Sequence, residues 1–122
     1  MTSSIEALTT TALGAALDAA SIRQQVIAAN IANANVEGYV AHRVSFDTVL
    51  SAMGDARGTE ALEASVTPRI EEVRDAQGHP QAVQLDAEVA ELSRNQLQYQ
   101  VLVAGLNKHF AILGAAASDG RR

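Results

Sequence analysis

From residue 85 to residue 117 the chain places Leu85, Val89, Leu92, Gln96, Tyr99, Val103, Leu106, Phe110, Leu113 and Ala117 at alternating steps of four and three, without a slip. A stripe of period 3.5 stays on one side of an α-helix, whereas a strand would throw it onto both faces. The last third is therefore a helix whose apolar side needs a partner. Asp86 is the expected N-terminal cap, Glu88 and Glu91 load the first turns with negative charge, and Lys108 and His109 are placed toward the other end, as the helix dipole prefers. Glu91 and Arg94 are one turn apart and suited to an ion pair.

The first third carries a similar stripe, Ile5, Leu8, Ala12, Ala15, Ala19, Ile22, Val26 and Ala29, with a second apolar series beside it: Leu13, Leu17, Ala20, Ile27 and Ile31. The apolar surface is wider than a two-stranded coiled coil needs, so more than one neighbour is implied. Ser3 or Ser4 can cap this helix, and Glu6 suits its positive end. Asn33, Asn35 and Gly38 tolerate the conformation that ends helices, giving an expected helix over 4–34. Two helices of about 30 residues are each about 45 Å long, which makes a rod rather than a globule.

Residues 36–85 hold both prolines, Pro68 and Pro80, and four of the eight glycines, Gly38, Gly54, Gly58 and Gly78. That density of breakers predicts an irregular segment. Within it, Ser45 followed by Phe46, Val49, Leu50 and Met53 has the spacing of a short amphipathic helix. Residues 66–74 and 81–85 flank Asp75-Ala76-Gln77-Gly78 as in a small β-hairpin, with Pro68 confining the first strand to an edge. Residues 54–65 have few large apolar groups and are expected to be mobile.

The sequence thus reads as mainly α: two long terminal heptad helices pairing as an antiparallel hairpin or coiled coil, with an irregular middle containing a short helix and a small β-hairpin. The segments are 1–35, 36–85 and 86–122, forming one structural unit, since 122 residues leave no room for a second core. Of the apolar 48%, only four residues are aromatic and 24 are alanine, so most apolar positions bury little area each. Ordering a residue costs about 1–2 kcal/mol of backbone entropy. The expectation is that both helices are poorly ordered in a free monomer and gain order on docking against several copies or partners.

Composition removes several function classes. A net charge of −5 and the lack of any basic run argue against nucleic acid and anionic membrane as primary partners. The absence of cysteine removes disulfides, thiolate metal sites and thiol nucleophiles. The early Glu6, with no basic residue before Arg23, does not read as a secretory signal, and the apolar run 11–20 is too short to span a bilayer.

His42, His79 and His109 lack the spacing of a helical metal pair, and His42 falls in an expected loop. Glu60 with Glu63, Glu71 with Glu72, and Glu88 with Glu91 read best as solvated faces. No phosphate-cradling glycine loop or nucleophile elbow is present. The chain reads as a non-enzyme with no catalytic residue, no metal and no cofactor; a small hydrolase using His79 with Glu71 or Glu72 ranks last. Gln96 breaks the apolar seam and either fixes helix register or lies on a wet face. Asn30, Asn33 and Asn35 close the first helix either by capping or by bridging to a crossing backbone, and capping explains only the last one or two.

The residues Asn30-Ile31-Ala32-Asn33, followed by Gly38-Tyr39, resemble the signature of bacterial flagellar basal-body rod and hook proteins, usually N-I-A-N-x-x-T-P-G-Y. Asn30, Ile31, Ala32, Asn33, Gly38 and Tyr39 match, while Val36 and Glu37 replace the usual threonine and proline. Residues 83–92 resemble the V-D-L-D-x-E-M-x-x-L entry of the family's last helix, with Gln84 in place of aspartate. Residues 95–100 and 106–110 are most similar to the proximal rod member.

The resemblance implies a structural subunit of the flagellar rod, the periplasm-spanning drive shaft, exported by the flagellar type III apparatus without a cleaved signal peptide. Its partners would be other rod subunits, proteins of the membrane-ring and rod junction and the export apparatus, in a helical hetero-polymer with no nucleic acid and no small-molecule substrate. The resemblance also makes Ile5, Leu8, Ile22, Val26, Val89, Leu92, Tyr99, Val103, Leu106, Phe110 and Leu113 the assembly interface. The rival reading is a soluble helical-hairpin adaptor or export chaperone of the flagellar system, which would not need the Asn-Ile-Ala-Asn and Gly-Tyr junction.

Overall fold

A computed structural model of the chain describes residues 2–45 and 68–120. Helix α1 spans Thr2–Ala32 and helix α2 spans Leu85–Asp119, with strands β1 (His42–Ser45) and β2 (Arg69–Glu72) between them. The helices are antiparallel: residues 20–24 of α1 meet 95–98 of α2, through Arg23 to Gln98 and Asn95 to Ala20 and Gln24, whereas Asn30, further along α1, meets the earlier Glu88. The heptad patterns and the alanine-rich composition are realised as a helical hairpin.

Several ends differ from the sequence expectation. Because α1 begins at Thr2, Ser3 and Ser4 are already helical residues of its first turn. It ends at Ala32, where Asn33 donates both its backbone N–H (3.1 Å) and its side-chain Nδ2 (2.8 Å) to the carbonyl of Ala29. Helix α2 is entered through Gln84, an extended residue that makes no side-chain cap, and not through Asp86, which is already in the first turn. The helix also runs to Asp119 with no basic residue in its last turn, leaving Lys108 and His109 well inside it. The alanines beyond Leu113 sustain the helix past the last large heptad residue, since alanine has the best helix propensity.

After α1 the chain reverses through turns that need Gly38 at φ 81°, a conformation costly for any residue with a Cβ. It then forms β1, so His42, placed in a loop by the sequence, is a strand residue. Strand β1 pairs antiparallel with β2 in the register His42↔Glu72, Arg43↔Glu71, Val44↔Ile70 and Ser45↔Arg69, which sets Arg43 opposite an acid. Of the expected hairpin of 66–74 with 81–85, the part next to the turn forms: around the bridge Arg74↔Pro80, Gln81 N–H donates to the carbonyl of Val73 (2.8 Å) and Asp75 N–H to that of His79 (2.9 Å), while β2 pairs with β1.

The turn between them is as expected: Asp75 Oδ1 accepts the N–H groups of Gln77 (2.9 Å) and His79 (2.8 Å), and Gly78 sits at φ 82°. The expected short helix after Ser45 and the expected mobile stretch 54–65 lie outside the described residues, although Ser45 itself ends β1.

Candidate assembly interface

The buried residues among those described gather in the half of the hairpin nearest the strands: Ala20, Val26, Ile27 and Asn30 of α1, Ala41 and Val44 beside them, and Glu88 and Asn95 of α2. Three of these eight are polar, with Asn30 1%, Asn95 3% and Glu88 6% exposed. Buried polar groups are in the large majority hydrogen-bonded. Each of these makes a bond between elements.

Asn30 is saturated. Its Nδ2 donates to the backbone carbonyl of His42 (2.8 Å) and to Glu88 Oε2 (3.2 Å), while its Oδ1 accepts the backbone N–H of His42 (3.0 Å) and the Tyr39 hydroxyl (3.3 Å). An amide side chain that both donates to and accepts from one residue's backbone mimics a neighbouring strand. Asn30 therefore closes the outer edge of β1 and ties α1, β1 and α2 together. Of the two roles the sequence left open for this asparagine, bridging to a crossing backbone is the one observed. Tyr39 adds a tilted ring contact to His42, with centroids 5.7 Å apart. Glu88 corrects the reading of the Glu88–Glu91 pair as a solvated face, because position 88 points into the hairpin while Glu91 pairs outward with Arg94 at 2.9 Å.

Asn95 forms the second link. Its Nδ2 donates to the carbonyl of Ala20 and to Gln24 Oε1, both at 2.9 Å, and Arg23 reaches both Asn95 Oδ1 (3.5 Å) and Gln98 Oε1 (3.1 Å). The polar residue between the helices is thus Asn95 and not Gln96, which is exposed one position along. Heptad counting through Leu92 and Tyr99 is satisfied equally by 95 and by 96. The hairpin uses the seam through Glu88, Asn95, Leu102 and His109, about 100° around the helix from the seam through Val89, Gln96, Val103 and Phe110.

The other seam is largely uncovered. Leu85, Val89, Tyr99 and Phe110 are exposed on α2, as are Ile5 and Leu8 on α1; Ile22, Leu92, Val103, Leu106 and Leu113 are half-buried. Val26 belongs to the chain's own core. A second exposed apolar row, Leu97, Val101 and Ile112, lies on the far side of α2. An 18-residue window of α2 reaches a mean hydropathy of 1.3 with none of it buried within the chain. A groove of about 420 Å³ runs between Ala20, Ser21, Gln24 and Gln25 of α1 and Asn95, Gln96, Tyr99 and Gln100 of α2. Among the described residues this apolar area is left uncovered.

The residues suggested for hydrolysis do not come together. His79 Nδ1 lies 3.5 Å from Asp75 in an exposed turn, and Glu72 pairs with Arg74 at 3.2 Å.

A helical hairpin locked by polar residues at one end and apolar along its outside is built for side-by-side packing. Residues 10–39, which end on the Asn30–Tyr39 contact, match the family model described as "Flagella basal body rod protein". The chain belongs to the flagellar basal body rod protein family. Among individual relatives it is similar to "Flagellar basal body rod protein FlgB" of Bacillus subtilis (strain 168), at 32% identity over 116 residues, covering 87% of this chain and 90% of that protein.

Proposed function

We propose that this structural rod subunit occupies the proximal rod, where it polymerises through the uncovered sides of its terminal helices into the periplasm-spanning shaft that transmits torque. The observation that carries the reading is the contrast within each helix. Burial is complete only near the strands, while Ile5, Leu8, Val89, Tyr99 and Phe110 remain exposed. With Ile22, Leu92, Val103, Leu106 and Leu113 they form the assembly surface. Val26 supports it from inside.

A shaft needs heterologous contacts, in which one side of a subunit meets a different side of the next, because a closed dimer cannot extend. Many small lateral contacts then share the load of twisting. The partners are other rod subunits, proteins at the membrane-ring junction and the export apparatus, and the chain leaves the cytoplasm by flagellar export. It has no catalytic role. The resemblance to the B. subtilis protein supports this placement over an adaptor or export chaperone, for which the Asn30–Tyr39 junction would have no use.

Immunogold labelling or mass spectrometry of isolated hook-basal bodies tests the reading: the subunit should co-purify with the rod. Recovery of the chain only from the cytosol of flagellated cells would overturn it.

A further inference from the structure

Between Glu6 and Arg23 the only charged residue of α1 is Asp18, and between Arg94 and Asp119 the only formal charge of α2 is Lys108. Both are exposed, and among the described residues neither takes part in an ion pair. The hairpin register keeps them apart. Since Arg23 stands opposite Gln98 and Asn30 opposite Glu88, Asp18 is level with a point about five to eight residues, or about 8–12 Å, from Lys108 along the axis.

Each of these charges sits beside a glycine for which the described residues give no steric reason. Around Gly14 and Gly105 a Cβ would meet nothing within 4 Å. A glycine inside a helix costs about 1 kcal/mol relative to alanine, a residue this chain uses freely. Gly14 and Asp18 line a groove of about 460 Å³ with Thr11, Ala15, Ala19 and Ile22, bounded by Pro68. Gly105 and Lys108 lie within the exposed row Leu97, Val101 and Ile112.

We propose that the outer side of α2 in one copy docks antiparallel into the Gly14 groove of a second copy, with Lys108 of the first paired to Asp18 of the next. The occupant follows from charge complementarity. A single cation on one outer surface and a single anion on the other, each unpaired among the described residues, are satisfied together by another copy of the same chain. The pair also sets the register. With Asp18 opposite Lys108, antiparallel helices bring Ile112 opposite Gly14, one turn away, so an exposed branched side chain enters the hole left by a missing Cβ. Gly105 then falls opposite Ser21, another small residue. The contact joins two different sides of the molecule and shifts the copies by about 8–12 Å along their axes, so it is heterologous and propagates.

This inference rests on the rod-subunit reading and is tested separately from it. The chain contains no cysteine, so Asp18→Cys and Lys108→Cys can be introduced together and oxidised in isolated hook-basal bodies. The expected result is a ladder of disulfide-linked copies, absent from either single variant. In a second arm, Asp18→Lys and Lys108→Asp should each lower incorporation several-fold, with circular dichroism unchanged, and the double reversal should restore it. A doubly substituted chain that enters basal bodies but yields no copy-to-copy cross-link, or cross-links only to a different protein, overturns the inference and leaves the rod reading intact. Charge reversals that incorporate normally also overturn it. Absence of the unaltered chain from basal bodies defeats the rod reading itself.

Discussion

Asn30 and Glu88, 58 residues apart in sequence, meet through a 3.2 Å hydrogen bond from the asparagine amide to the carboxylate, at the closed end of the hairpin. The contact joins the first asparagine of the Asn-Ile-Ala-Asn motif to the first turn of α2. It gives the motif a physical role: the amide group bridges two helices and a strand edge.

Replacing Asn30 with Ala strands the backbone N–H and carbonyl of His42 and the Glu88 carboxylate. Leaving a buried polar group unsatisfied costs about 1–3 kcal/mol. Asn30→Ala should therefore lower unfolding stability by at least about 2 kcal/mol in urea titration. Tyr39→Phe removes only one 3.3 Å bond and should cost about 1 kcal/mol or less. Equal effects from the two variants would show that Asn30 is not the centre of the network.

Asn95 and Gln96 are adjacent, yet only Asn95 is buried between the helices. Asn95→Ala should destabilise the chain by about 1–3 kcal/mol, because it leaves Gln24 Oε1 without its Asn95 donor and removes the second donor to the carbonyl of Ala20. Gln96→Ala should change stability by no more than about 0.5 kcal/mol. Chemical denaturation of both variants checks the assignment, and the reverse order would return the register role to Gln96.

His109 Nε2 is, among the described residues, a buried side-chain atom without a hydrogen-bond partner. His109→Leu removes that polar atom from the hairpin seam at similar volume. The expected outcome is a gain of about 1 kcal/mol, read as a higher melting temperature. A loss of stability would mean that the imidazole has a partner in solution.

Phe110 is half exposed on the seam that the hairpin leaves open, whereas Leu106 is half-buried. Phe110→Asp should leave the circular dichroism of the isolated chain unchanged but abolish incorporation into basal bodies and swimming, since a charge would have to be buried in the assembled rod. Leu106→Asp should also abolish assembly, with some loss of monomer helix. Normal swimming by Phe110→Asp would place the assembly surface elsewhere.

Hydrogen exchange on the isolated chain should give the slowest amides around residues 20–30 and 88–95, where the buried groups gather. The halves of α1 and α2 away from the strands should exchange faster and slow down in assembled rods. Uniform protection along both helices of a monomer would contradict the expectation that they gain order on docking.

The two heptad stripes by themselves determined that both ends are helices and that the chain is a hairpin with apolar surface to spare, because a 3.5-residue period has one realisation in a backbone. Glycine chemistry likewise determined the turns at Gly38 and Gly78, where a positive φ is required. The sequence could not say which of two overlapping seams faces inward: Leu92, Tyr99, Leu106 and Leu113 belong to both, and a rotation of one residue exchanges 95 for 96. The tertiary structure decided that through the bonds of Asn95 to Ala20 and Gln24 and of Asn30 to Glu88. It also made a strand of residues 42–45 and a buried partner of Glu88, because these roles depend on what stands opposite a residue in space, and local spacing carries no information about a group 58 positions away.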